Sequence, residues 1–385
     1  MSRRFNVAAA VVVFVVGGAH AVAWAQTTIT RNELLGGRLL GATTKSASPI
    51  DSGSVLALSP EMRSFLKQNV NGGATDVFKL QQLIDAIMGK TSFGLEYDEN
   101  TRTAGETFRL QTGNCLSFSA MFVSLARGVG LRAEFQVVDI PPDWSVRKDV
   151  FVLNRHVNVS VYLGAGGTHV VDFNISDFKS TYDVEIVSDK RAFAHFFNNL
   201  GVERMQDGDT LGALSFFRSA ILDGDGDFSP PWTNLGTLYR RGGHLRHAEA
   251  AYLQALKADK RDAVAMSNLV GLYDHMGDSE KAAIYQKRVD EHRMQNPYLR
   301  FSLAREAFFD RDYDTAIEHL KHAIKKHKND DEFYFLLGLC HLMRGDEKEA
   351  RRWTSKAEAV AESDEKRGRY STKIETLRAA SEKVD

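Results

Sequence analysis

The stretch WTNLGTLYRRGGHLRHAEAAY at residues 232–252 decides how the second half of this chain folds. Its triplet Asn234-Leu235-Gly236 has counterparts in Asn199-Leu200-Gly201, Asn268-Leu269-Val270, Ser302-Leu303-Ala304 and Leu336-Leu337-Gly338, a spacing of 34 or 35 residues. Twelve residues after each triplet come Ala213, Ala248, Ala282, Ala316 and Ala350, and seven further on Ala220, Ala255, Val289, Ala323 and Ala357. Large residues such as Phe197, Phe217, Trp232, Tyr252 and Leu320 fall between them, and turn glycines recur at Gly208, Gly243, Gly277 and Gly345. Small residues let two helices of a unit approach, while large ones fill the gap to the next unit. A single unit therefore cannot bury its own apolar face, and several must stack.

This pattern, from about Phe193 to Ala361, resembles the tetratricopeptide repeat and predicts an all-α solenoid of five units over residues 191–362. The polar, charged stretch that follows suits a capping helix or tail at 363–385. The resemblance implies a concave groove, lined by the first helix of each unit, that binds an extended peptide or a partner protein. It also implies peptide contacts from Asn199, Asn234 and Asn268, since a side-chain amide offers a donor and an acceptor to a peptide unit. Along the groove the expected lining passes from polar (Asn198, Thr233, Ser267) to apolar (Phe301, Phe335, Leu339), which suits a hydrophobic partner at the far end.

Residues 26–190 show no such period. Apolar residues at helical spacing between Ser59 and Met88 predict one or two helices. Thr112-Gly-Asn-Cys115 then opens an apolar helical run to Arg127, stopped by Gly128 and Gly130. Cys115 is thereby placed on a first helical turn, where backbone N–H groups and the helix dipole favour a thiolate. Leu131–Ile140 reads as a strand broken by Pro141 and Pro142, and strands near 154–163 and 168–174 flank Gly164-Ala-Gly-Gly167, which suits a hairpin. Pairing Tyr162 with Thr168 sets Asn158 opposite Asp172 and puts His156 on the same face. A register slipped by one residue would separate them.

These residues resemble the transglutaminase-like superfamily, relatives of papain-type cysteine hydrolases, over roughly residues 75–180. The resemblance rests on Gly113, Cys115, Ser119-Ala120, Leu125-Ala126-Arg127, Gly130-Leu131, Ala133, His156-Val157 and Val171-Asp172. It implies an α+β domain in which Cys115 is the nucleophile, His156 the base and then the acid, and Asp172 the orienting group. Asn158 and Phe173 depart from residues common in relatives, which bears on the substrate.

Met1-Ser-Arg-Arg4, an apolar run from Phe5 to Trp24 and the Ala23-Trp-Ala25 site read as a secretory signal over residues 1–25. A periplasmic or secreted location follows, with no membrane span after cleavage. The chain has 385 residues, 43% hydrophobic and 26% charged, with 49 bases against 50 acids, so it is globular and carries no electrostatic excess for nucleic acid. Two cysteines exclude a disulfide scaffold and a thiolate zinc cluster; Cys340, mid-helix, is expected to be inert packing. Asp223, Asp225 and Asp227 look like the start of a calcium loop, but Phe228 stands where glycine is needed and Asn234 where glutamate is needed. His244, His247, His319 and His322 read as solvated, so neither a metal nor a cofactor is expected. The function expected is thiol-dependent acyl transfer on peptide or isopeptide amides, by a protease or transglutaminase-like enzyme whose repeats recruit a protein. The alternative is a non-catalytic periplasmic scaffold with a silent first domain.

Overall fold

The computed structural model describes residues 29–43, 50–89, 93–138, 145–147, 150–152, 156–173, 184–361, 367, 368, 370 and 372. The expected signal at 1–25 and most of the tail expected at 363–385 lie outside them.

The first half mixes helix and strand. Helices α1 (Arg31–Gly36), α2 (Ser52–Val55), α3 (Pro60–Asn69) and α4 (Asp76–Met88) precede β1 (Glu96–Tyr97), α5 (Ala104–Leu110), β2 (Thr112–Gly113) and α6 (Cys115–Gly128). Strands β3 (Arg132–Val138), β4 (Ser145–Arg147), β5 (Val150–Val152), β6 (His156–Tyr162), β7 (Thr168–Val171) and β8 (Val184–Val187) follow. Four of them form an antiparallel sheet in the order β7-β6-β3-β8. Helix α6 packs on it through Phe118, Met121, Phe122 and Leu125, in one core with Ala133, Phe135, Val157, Val159 and Val161. Alternate residues of β6 thus serve the core, and the intervening His156 and Asn158 point the other way.

The second half is all helix, in five pairs: α7 (Asp189–Gln206) with α8 (Thr210–Ser219), α9 (Pro230–Arg241) with α10 (Leu245–Ala258), α11 (Ala263–Met276) with α12 (Ser279–Arg293), α13 (Pro297–Phe309) with α14 (Tyr313–Lys326), and α15 (Asp331–Met343) with α16 (Glu347–Val360). Between paired helices the chain turns through a left-handed glycine and then a capping aspartate, as at Gly208-Asp209, Gly277-Asp278 and Gly345-Asp346. The aspartate accepts an N–H that the helix itself leaves unpaired. In the fourth pair Arg311 takes the glycine's place at φ 63°, and in the second His244 replaces the aspartate and caps nothing.

The triplet glycines mark close helix contact. A Cβ on Gly236 would lie 2.6 Å from the Tyr252 ring, and one on Gly338 would lie 2.5 Å from Thr354 Cγ2. Because Tyr252 is fully buried and cannot swing aside, Gly236→Ala is expected to cost about 1–3 kcal/mol by overpacking. Gly243→Ala is the contrasting case, strained by its φ of 76° rather than by crowding. Urea denaturation of each variant measures the cost.

Three features of the packing go beyond the periodicity. The core of the first half takes in Ala192, Phe196, Phe197 and Leu200 of α7, Phe216 of α8 and Ala220, so the boundary expected near residue 190 runs through a shared core. An Arg127–Asp189 pair with bonds of 2.7 and 2.9 Å crosses the same joint. Leu34 and Leu35 of α1, expected to belong with the first domain, are buried instead among repeat residues such as Leu214, Tyr239 and Tyr252. Tyr239 donates its hydroxyl to the Leu34 carbonyl at 2.7 Å, and Arg218 donates to the carbonyls of Leu35 and Gly36. His244 Nε2 meets the Leu39 carbonyl at 2.9 Å and His247 Nε2 meets Glu33 at 3.1 Å. His247 is therefore a partner of α1 and His244 a partner of the turn that follows it rather than solvated groups, and His319 likewise lies 2.9 Å from Arg300 Nη1.

Third, the apolar core of the repeats is in two pieces. One runs from Leu34 to Val289 and the other from Ala304 to Ala357. At the break α12 buries only Ala282 and Val289, presenting Gln286, Lys287, Asp290 and Glu291 along an exposed face. Among the described residues no helix is long and apolar enough to cross a membrane.

Candidate active site

Helix α6 begins where it does because Asn114 caps it. The Asn114 Oδ1 accepts the Ser117 N–H at 2.9 Å, leaving Cys115 as the first helical residue. Just before it, β2 pairs in parallel with β1, Tyr97 opposite Gly113, and a Cβ on Gly113 would lie 2.8 Å from Ser117 Cβ. Cys115 is half-buried at this helix end, where unpaired N–H groups and the dipole favour negative charge. The Ser119 hydroxyl donates to the Val157 carbonyl at 3.1 Å, tying α6 to the strand that carries His156.

The hairpin has the register Tyr162–Thr168, with Val159 opposite Val171. His156 opens β6 and Asp172 follows directly on β7, which brings the two together across adjacent strands. His156 Nε2 lies 2.8 Å from Asp172 Oδ1 and 2.7 Å from Oδ2, and both residues are buried. The Cys115 sulfur lies close enough to the ring to act on its protonation. With Nε2 taken by the carboxylate, Nδ1 is the ring nitrogen left for a second partner. Asn158 Nδ2 donates to Asp172 Oδ2 at 3.0 Å, so the residue noted as a departure from relatives holds the carboxylate that faces His156.

Burial alone would push the imidazole's pKa down. Hydrogen bonding to the Asp172 carboxylate and interaction with the Cys115 sulfur outweigh burial and raise it from 6.5 to about 9. The site thus favours an imidazolium beside the sulfur at neutral pH. The same shift is linked to stability: a group that binds its proton more tightly when folded stabilises the fold fully below its unfolded pKa. Its contribution is then lost as pH rises through the folded value. The urea midpoint is therefore expected to fall between pH 6.5 and about 9, and this decline should shrink in His156→Ala.

Cys340 is the internal control. It is fully buried in α15, where desolvation pushes its thiol up to about 12. Iodoacetamide at pH 7 is expected to label Cys115 and leave Cys340 unmodified until the protein unfolds, as peptide mass mapping would show.

The three asparagines expected to contact peptide have different surroundings. Asn199 is half-buried, Asn234 donates to Asn198 Oδ1 at 2.9 Å, and Asn268 is buried with its Nδ2 unpartnered. At the other end of the array Phe335 and Leu339 are buried, and Phe335 stacks on Tyr370 with ring centres 4.3 Å apart. At Phe335 the apolar lining expected there is thus covered by Tyr370. Asp225, one of the three acids resembling a calcium loop, pairs with Arg191 at 3.0 Å.

Sequence reading missed Thr101 and Glu203, which are linked by hydrogen bonds to the Asn114 cap that precedes Cys115. Neither belongs to a motif, and Glu203 lies 88 residues beyond Cys115, so no local spacing marks it.

Residues 63–172 match the transglutaminase-like superfamily, and residues 233–297 and 301–364 match the tetratricopeptide repeat. The chain therefore carries a transglutaminase-like domain followed by tetratricopeptide repeats. Among solved structures it is similar to a MamA protein, 19% identical over 46% of this chain and 95% of the other, with a TM-score of 0.24. It is similar also to BtubC from P. vanneervenii, 20% identical over 45% of this chain and 81% of the other, with a TM-score of 0.25. A third is YrrB, described as a TPR protein with an unusual peptide-binding site: 15% identical, covering 47% and 91%, with a TM-score of 0.23. No curated protein matches the chain.

Proposed function

We propose that this chain is an exported thiol enzyme that transfers the acyl group of a peptide or isopeptide amide, with its repeats recruiting a protein partner. The observation that carries the reading is His156 placed between the Cys115 thiol and the Asp172 carboxylate. The Cys115 thiolate adds to the amide carbonyl, and its own backbone N–H faces the developing oxyanion. Collapse breaks the C–N bond as the imidazolium gives its proton to the leaving amine. Water or a second amine then attacks the thioester, passing a proton back to His156 and regenerating the thiol. Water yields hydrolysis and an amine yields cross-linking; both use the same groups.

Export rests on the signal-like residues 1–25, and recruitment on the half-exposed polar groove around Asn199 and Asn234. A recruited substrate reacts at the effective concentration the joint allows, and the shared core between repeats and domain keeps that geometry fixed. Incubation with p-nitrophenyl acetate, an activated acyl donor, tests the chemistry. The expected result is an acetyl group on Cys115, cleared by water or, with added ethylamine, released as the amide. An unmodified Cys115 would leave the non-catalytic scaffold as the reading.

A further inference from the structure

The first turn of α6 is held from outside the domain. Asn114, which caps it, donates Nδ2 to Thr101 Oγ1 at 3.0 Å while its Oδ1 accepts the N–H and hydroxyl of Ser117, each at 2.9 Å. Thr101 is buried, and its N–H donates to Glu203 Oε1 at 2.9 Å. Glu203 belongs to α7, the first repeat helix. The segment between them is braced as well: Arg102 donates its N–H to Ser117 Oγ at 2.9 Å and pairs with Asp98 at 2.5 Å.

Glu203 is half-buried, and placing a carboxylate there has a cost that hydrogen bonds must offset. Desolvation raises its pKa while the Thr101 N–H lowers it. Tethering alone does not require that placement, since Phe196, Phe197 and the Arg127–Asp189 pair already join the two halves. What the carboxylate reaches that these do not is the hydrogen-bond chain ending one residue from the nucleophile.

We propose that Glu203 is a positioning residue: through Thr101 and Asn114 it fixes the first turn of α6 and so the sulfur of Cys115, making the first repeat helix part of the active-site frame. This rests on the thiol-enzyme reading.

The test compares wild type, Glu203→Ala, Glu203→Gln and Thr101→Val in the full chain. Two quantities are followed: the rate of Cys115 alkylation by iodoacetamide at pH 7, and the NMR titration of His156. Glu203→Ala and Thr101→Val are each expected to slow alkylation about tenfold, the effect of losing one buried hydrogen bond from the frame. Glu203→Gln keeps an acceptor oxygen for the Thr101 N–H and should restore the rate. The His156 titration should stay above the ordinary value of 6.5 throughout, because its pair with Asp172 is untouched, and move only by what the displaced sulfur supplied. Alkylation at the wild-type rate in Glu203→Ala would overturn the proposal, as would equal slowing by Gln and Ala or a His156 titration that falls to 6.5 or below. If Glu203→Ala fails to fold, a wild-type rate in Thr101→Val overturns it. A wild-type Cys115 no faster than a free thiol would instead remove the enzymatic reading, and the relay with it; that result appears without any Glu203 variant.

Discussion

His156→Ala is expected to slow acylation of Cys115 by p-nitrophenyl acetate by roughly a hundred-fold or more, the scale on which a positioned acid–base group acts. The variant removes the ring beside the thiol and takes from the buried Asp172 its imidazole partner, while Asn158 still donates to the carboxylate. The reaction then falls to what the helix N-terminus supplies without a neighbouring cation. Neither p-nitrophenolate nor iodide needs a proton to leave, so iodoacetamide, which also reports on the sulfur, should be slowed as well. Stopped-flow and mass measurements on the two reagents check this. Equal rates in wild type and variant would show that the imidazole does not serve the sulfur.

The second large effect lies at the joint. Phe197 is fully buried in the core that also holds Phe118, Phe122 and Phe135, and it meets Phe196 edge-to-face at 5.6 Å. Phe197→Ala is expected to cost about 3–5 kcal/mol, because the surrounding helices relax only partly around the cavity. Phe309→Ala, at a ring 73% exposed, should change stability by no more than about 0.5 kcal/mol. Since Phe197 lies on the first repeat helix yet packs in the domain's core, the loss should show as a lowered unfolding midpoint for the transglutaminase-like half itself. A chain ended at residue 190 would lack Ala192, Phe196, Phe197, Leu200 and Phe216 together, and it is expected not to fold. Cooperative unfolding of that short chain would contradict a shared core.

Much of this was legible in the residue order where the determinants are local. The triplet spacing marks the helix pairs because crowding such as that of Gly236 on Tyr252 recurs with the period. The hairpin register follows from a short glycine-rich turn between two alternating strands, and it is enough to align His156 with Asp172. What periodicity could not convey is long-range and made by few residues. Leu34 and Leu35 form too short an apolar run to announce a docking site more than 170 residues away. His244 looks like a missing cap until the Leu39 carbonyl is seen beside it. The division of the repeat core at α12 leaves no gap in the spacing, because what fails there is the apolar character of one helix face and not its length.

The central claim is that an imidazolium is held between Cys115 and Asp172 through neutral pH, and NMR titration of isotope-labelled histidines tests it most directly. One resonance, absent from His156→Ala, should keep its proton until about pH 9 and lose it at lower pH in Asp172→Asn. Titration of every histidine at or below the ordinary value of 6.5 would contradict the account.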